Sequence, residues 1–216
     1  MPMTFEEEVR ARKIDPDKPV IALTFDDGPS INTTRILDTL QTYGGRVSFF
    51  VDGCKVAENK TKILRAFHMG NEIMCHAWDH PDLTKLSGWA IKKQLFNTIA
   101  AIAKVTDSVS LMFRPPYGYI NKKVEKIAMK LGLAIIIWSV DPRDWESRDA
   151  DAVYSAIMGE VKDGDIVLSH DVHDSTAEAM SRIIPELIEK GYQPVTVSEL
   201  LNHKYGGIEP GRIYHK

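Results

Sequence analysis

Cysteine is scarce in this chain: Cys54 and Cys75 are the only two among 216 residues. That is too few for a disulfide framework, and their spacing is not that of a zinc–cysteine site. Both lie at the ends of apolar runs, as small buried hydrophobes do. A single Cys54–Cys75 bridge stays open, because distance alone decides it. Long apolar runs are missing too, and none approaches the roughly 20 residues needed to span a bilayer. The first 19 residues, MPMTFEEEVRARKIDPDKP, are polar and lack the apolar segment of a signal peptide. They fit either a cytosolic protein or one whose signal has been removed. Excess charge is also lacking: 27 Lys and Arg face 30 Asp and Glu, a net charge of −3. That balance argues against a nucleic-acid binder. There is no internal repeat, low-complexity tract or linker.

What is present is an alternation. Apolar residues make up 44% of the chain and charged residues 26%, as in a single globular domain. Short β-rich runs occupy 20–25, 47–51, 72–75, 110–113, 133–140, 165–169 and 194–197. The IIIW segment at 135–138 is apolar at successive positions, as in a strand buried on both faces. Between the runs lie amphipathic stretches at 34–43, 60–69, 88–105, 122–131, 150–161 and 176–190. Several of these end at glycine, and Pro185 is expected to kink the last. Strands interleaved with helices predict a parallel sheet joined by crossovers. Seven strands fall one short of the regular barrel, so the alternatives are an α/β distorted (β/α) barrel and an open doubly wound sheet.

Polar clusters follow the strand ends: DDGP after VIALTF, HAWDH after EIMC, RPPYG after LMF, DPRDW after IIIWSV, and HDVH after DIVLS. In a parallel barrel these ends share one rim, where active sites form. A turn alone would explain Asp26-Asp27-Gly28-Pro29. Yet two adjacent carboxylates at a buried strand end resist joint ionisation, and a metal bound by one would leave the other as a base. His76 and His80 follow a strand, and Pro81 disfavours helical backbone at His80, so the pair belongs to a folded-back loop. With a rim aspartate they make a three-ligand set with an open position. Two imidazoles favour Zn, Co, Ni or Fe over Mg or Ca. Arg114 is placed to pair with a rim carboxylate, and the rigid RPPYG turn offers a fixed backbone N–H as an oxyanion donor. His170, paired with a carboxylate such as Asp141, would have a raised pKa and serve as general acid. His173 is a rival for that role.

In this order the clusters resemble the polysaccharide deacetylases of carbohydrate esterase family 4, over about residues 20–201. TFDDGP at 24–29 and RPPYG at 114–118 are the most specific, supported by DPRDW at 141–145 and LSH at 168–170. The resemblance implies a distorted (β/α) barrel of about seven parallel strands. It implies Asp27, His76 and His80 as ligands of a divalent transition metal, Zn first, with Co or Ni as alternatives. Asp26 becomes the general base, steadied by Arg114. The backbone N–H of Tyr117 becomes an oxyanion donor. His170 becomes the general acid tuned by Asp141, and Trp145 and Leu168 wall the pocket for the acetyl methyl. One departure stands out: Ala77 replaces the Ser or Thr usual after the first histidine. The lost hydroxyl puts metal occupancy in question, with Asp79 or Trp78 as candidate replacements.

The expected activity is metal-dependent removal of acetyl groups from carbohydrate polymers or oligomers. N-acetylglucosamine glycans such as chitin oligomers or peptidoglycan, and O-acetylated xylan, are the candidate substrates. Short rim loops suit an open groove, with Trp78, Tyr117, Tyr119 and Trp145 available to stack on sugar rings. The alternatives are a catalytically weak sugar-binding homologue and a metal-dependent amidase acting on non-sugar amides. The expected organisation is an N-terminal extension at 1–19, a catalytic domain at 20–203 and a tail at 204–216. A monomer acting outside the cell or at its surface, with no nucleic-acid partner and no membrane span, completes the expectation.

Overall fold

The computed structural model describes residues 14–216. Most of the expected N-terminal extension, residues 1–13, lies outside the described residues. The strands are β1 (Val20–Asp26), β2 (Ser48–Val51), β3 (Glu72–Cys75), β4 (Met112–Phe113), β5 (Ala134–Ile136), β6 (Ile166–Val167), β7 (Gln193–Pro194) and β8 (Ile213–Tyr214). The helices are α1 (Ile31–Tyr43), α2 (Gly53–Val56), α3 (Lys60–His68), α4 (Gly88–Thr106), α5 (Lys122–Lys130), α6 (Asp144–Ser147), α7 (Ala150–Glu160), α8 (Asp174–Glu189) and α9 (Val197–Tyr205). Polar caps start several of the helices: Ser30 in a capping box at α1, Ser87 at α4, Asn121 at α5 and Asp149 at α7. Pro185 sits inside α8 without ending it.

All strand pairings are parallel, in the order β6-β1-β2-β3-β4-β5-β8, with β7 beside the start of β1. The chain beyond β5 then reaches across to β6. Ser139 N–H donates to Ile166 O at 2.9 Å and Leu168 N–H to Val140 O at 2.9 Å, and Val140 bridges Val167. That contact closes the ring, so the fold is a distorted (β/α) barrel. The short β8, inside the segment expected to be a tail, adds a further strand at the outer side of β5.

Side-chain parity decides what the barrel presents at its rim. Val20 and Ala22 of β1 pack with Phe50, Met74, Met112, Ile136 and Ile166 inside the barrel. Ile21, Leu23 and Phe25 face the helices, as do Cys75, Phe113 and Ile135. Two residues beyond each inward apolar residue stands a polar or aromatic one, Thr24 and then Asp26, Asp52, His76, Arg114 and Trp138, except on β6, where it is Leu168. The apolar plug thus ends where the functional rim begins. Among the described residues, no helix is long and apolar enough to cross a membrane.

Candidate active site and metal centre

Register brings the strand ends together. His76 N–H donates to Val51 O and Arg114 N–H to Cys75 O, both at 3.0 Å, while Asp26 N–H donates to Ser169 O at 2.9 Å. Asp26 and His170 are therefore bridge partners. Asp27 has the wrong parity for the lumen. Its backbone turns left-handed, at φ 69°, and so do Ala77 at 73° and His80 at 59°. Three left-handed residues outside glycine within two short loops mark a local conformation that the surroundings must hold in place. Gly28 is needed for packing, because a Cβ there would overlap the carboxylate of Asp171. Burial pushes the Asp171 carboxyl up to about 7, reinforced by the charges of Asp27 and Asp26 and opposed by the Thr33 hydroxyl bonded to it.

Asp27, His76 and His80 offer ligand atoms that all lie within 4.8 Å of one another. Asp27 Oδ1 is 3.3 Å from His76 Nε2 and 3.4 Å from His80 Nε2. It is buried and has no hydrogen-bond donor. His76 Nδ1 is 2.9 Å from Arg114 O, and a carbonyl only accepts, so Nδ1 carries the proton and Nε2 points its lone pair inward. Two acceptors facing each other at that distance require a cation between them, either a proton or a metal ion. Burial alone would raise the Asp27 carboxyl, but His76, with His170 and His80, holds it well below the usual range. Burial and His76 push His80 down toward the neutral form that a ligand needs. Burial also pulls on His76, but the carboxylates of Asp26 and Asp27 outweigh it and raise that group. A proton and a metal ion would compete for this position. The donor set, one carboxylate and two imidazoles, suits a transition metal.

Asp26 is buried beside this triad. Its Oδ1 accepts from Arg114 Nη1 at 2.7 Å, and its Oδ2 stands 3.8 Å from His76 Nε2. Arg114 is fully buried. It also donates to Thr24 Oγ1 at 2.7 Å, Ile136 O at 3.3 Å and Ile137 O at 3.1 Å, and its guanidinium lies 4.3 Å from the Phe50 ring centre. Such a scaffold fixes one carboxylate oxygen and leaves the other to face the triad.

The His170 side is organised differently from expectation. His170 Nδ1 bonds to Asp144 Oδ1 at 2.7 Å, and Asp144 Oδ2 accepts from His170 N–H at 2.7 Å and Thr176 Oγ1 at 2.6 Å. Asp144, and not Asp141, is thus the carboxylate that orients this imidazole. Asp141 instead accepts from the Arg143 N–H at 2.9 Å, closing its own turn. Burial pulls His170 down, but the hydrogen bond and charge of Asp144 outweigh it and raise its pKa to about 9. Both aspartates of DPRDW follow the same strand, so the sequence does not separate them; the short helix α6 carries only the second onto His170.

A cleft of about 510 Å³ joins these parts. Asp26, Asp27, His76, His80, Tyr117, Asp141, Trp145, Leu168 and His170 all line it, so every proposed site residue except the underlying Arg114 reaches one space. Tyr117 is left-handed at φ 60° and packs edge-on against His80 at 4.5 Å. Its turn is closed by Gly118 N–H to Pro115 O and Tyr119 N–H to Pro116 O, bonds that leave the Tyr117 N–H unused. Gly118 is required there, since a Cβ would come within 2.9 Å of Trp138. Trp138 also lines the cleft and had no sequence flag beyond its inward parity. Tyr119 and His173 line it too, whereas Trp78 does not; Trp78 packs beside Gly53. The loop at Ala77 is braced by Gln94, whose Oε1 accepts from Trp78 N–H at 2.7 Å and whose Nε2 donates to Asp79 Oδ1 at 2.6 Å. Both cysteines are free, and Cys54 is exposed rather than buried.

A barrel mouth that gathers an acceptor triad, an arginine-held carboxylate and an aspartate-held imidazole carries the groups of an acid–base hydrolase. Residues 13–136 match the polysaccharide deacetylase family, and the chain belongs to that family. It is 40% identical over 188 residues to the peptidoglycan-N-acetylmuramic acid deacetylase PdaC of Bacillus subtilis (strain 168), covering 87% of this chain and 40% of that protein. It is 41% identical over 195 residues to the peptidoglycan-N-acetylglucosamine deacetylase PgdA of Listeria monocytogenes, covering 90% and 41%. The chain therefore spans less than half the length of these two relatives. The solved structure of PdaC superposes with a TM-score of 0.86 at 39% identity, covering 89% of this chain and 95% of that one. A family 4 acetyl xylan esterase from Clostridium thermocellum, solved with a cobalt ion, gives a TM-score of 0.85 at 33% identity, covering 91% and 98%.

Proposed function

We propose that the protein is a metal-dependent deacetylase of carbohydrate polymers or oligomers, acting outside the cell or at its surface, with N-acetylated peptidoglycan glycan as the leading substrate. The observation that carries this reading is the unpaired Asp27–His76–His80 acceptor set beside Asp26, whose one free oxygen faces it. The two peptidoglycan deacetylases similar to this chain favour an amide over an ester substrate.

Asp27, His76 and His80 would hold the metal. A divalent ion bound there supplies a Lewis acid for the acetyl carbonyl and lowers the pKa of a bound water. Asp26 takes the proton of the attacking water on Oδ2, while Arg114 keeps Oδ1 occupied. The Tyr117 N–H stabilises the negative charge that develops on the carbonyl oxygen. His170, with Nδ1 committed to Asp144, protonates the departing sugar amine from Nε2 as the carbon–nitrogen bond breaks. Acetate and a free amine are the products. Trp145 and Leu168 close the space around the acetyl methyl, and Tyr117 and Tyr119, with ring centres 5.5 Å apart, offer stacking faces to the sugar.

Acetate release from peptidoglycan, chitooligosaccharides, acetylxylan and small amides, measured with chelation and metal add-back, tests the reading. Release from a glycan that stops with chelator and returns with metal is the expected result. Turnover indifferent to chelator would overturn it, and turnover confined to small amides would assign the site to non-sugar chemistry.

A further inference from the structure

The strained loops that carry the triad share one brace. The turn from Asp52 to Lys55, at the end of β2, lies between the loop bearing Asp27 and the loop bearing His76 and His80. Its Asp52 N–H donates to Gly28 O at 3.1 Å, its Gly53 N–H to Ala77 O at 3.0 Å and its Cys54 N–H to Trp78 O at 2.9 Å. The Lys55 ammonium donates to Asp27 O at 2.7 Å and pairs with Asp52 Oδ2 at 2.9 Å. Asp27 and Ala77, both left-handed, are thus each gripped by their own carbonyl, and the carbonyl after each is gripped as well. Gly53 permits the approach, since a Cβ would come within 2.6 Å of the Trp78 ring.

We infer that the Asp52–Lys55 turn sets the spacing between Asp27 and the two histidines, with Lys55 as a positioning residue for metal binding. It rests on the assignment of those three residues as metal ligands. Lys55 reaches no ligand atom; it acts through the Asp27 backbone. The brace also answers the departure at residue 77. A Ser or Thr hydroxyl that could stabilise the histidine loop is absent there, and the N-terminal amides of α2 hold the same stretch from the other side. Outer contacts of this kind change metal affinity by about 10–100-fold when lost.

The test is zinc affinity, read by competition with a fluorescent chelator. Lys55→Met alone would strand the buried Asp52 carboxylate, so the double variant Asp52→Asn/Lys55→Met accompanies it, with Lys55→Arg as the conservative replacement and His80→Ala as the ligand control. Both Met variants are expected to bind zinc about 10–100-fold more weakly, while Lys55→Arg recovers most of the affinity. Excess zinc should restore kcat in the double variant. Wild-type affinity in the double variant, with His80→Ala unable to bind, would overturn the positioning role and leave the ligand assignment intact. Zinc bound equally well by His80→Ala would remove the ligand assignment, and the positioning role with it. A second readout needs no substitution: zinc should slow amide hydrogen exchange at Gly53 and Cys54, and unchanged exchange there would also overturn the inference.

Discussion

The two halves of the cleft are held together in opposite ways. On the β1–β3 side, Asp27, His76 and His80 turn acceptors toward one another, and the buried Asp27 Oδ1 has no donor. On the β6 side, both oxygens of Asp144 accept from His170 and Thr176, and His170 keeps Nε2 for the cleft. The first half faces acceptor against acceptor and needs a cation between them, whereas the carboxylate of the second half already has its donors. The lesson is a division of labour: metal supply should govern one half and pH the other, with Asp26 between them.

Several substitutions would break or sharpen that contrast. The largest effect is expected from Asp26→Asn, which should lower kcat by about 10²–10⁴-fold, the usual contribution of a positioned base, with metal content unchanged. Acetate-release kinetics and metal analysis on the same sample check it; a simultaneous loss of metal would put Asp26 in the wrong half. Next comes Arg114→Met. It strands the buried Asp26 carboxylate, so denaturant unfolding should show a loss of about 3–5 kcal/mol. A stability within experimental error of wild type would show that Asp26 is not held as described.

Asp144→Asn should act through pH. The general acid must be protonated, and Asp144 lifts His170 to about 9, so wild-type kcat/KM should fall only as the pH rises through about 9. Without the carboxylate that alkaline limb should move down toward the ordinary imidazole value of about 6.5, and activity at pH 8 should fall more than activity at pH 6. An unmoved limb would detach His170 from the acid role. The smallest effect belongs to Asp141→Asn, which should leave the limb in place because its carboxylate serves the Arg143 turn. A limb displaced by Asp141→Asn and not by Asp144→Asn would make Asp141, and not Asp144, the carboxylate that governs His170.

Much of this site was legible because parallel strands deliver their C-terminal ends to one rim. DDGP, HAWDH, RPPYG, DPRDW and LSH are all found there. What escaped depends on features with no period in the sequence. Choosing between Asp141 and Asp144 requires the turn of α6. Trp138 reads as core within an apolar run, yet its parity with Ala134 and Ile136 carries it one step past the plug and into the cleft. The brace at Asp52–Lys55 works largely through backbone amides, which no residue type announces. Strand β8 is two residues long and follows a stretch rich in glycine and proline, so neither alternation nor length marks it. Cys54 ends an apolar run but opens α2, where the chain has already turned outward.

Equilibrium dialysis of the wild type, Asp26→Asn and His80→Ala against cobalt, followed by metal analysis, tests the central claim most directly. One ion per chain in the wild type and in Asp26→Asn, with none in His80→Ala, is the predicted result. Equal binding by all three proteins, or none by the wild type, would contradict it.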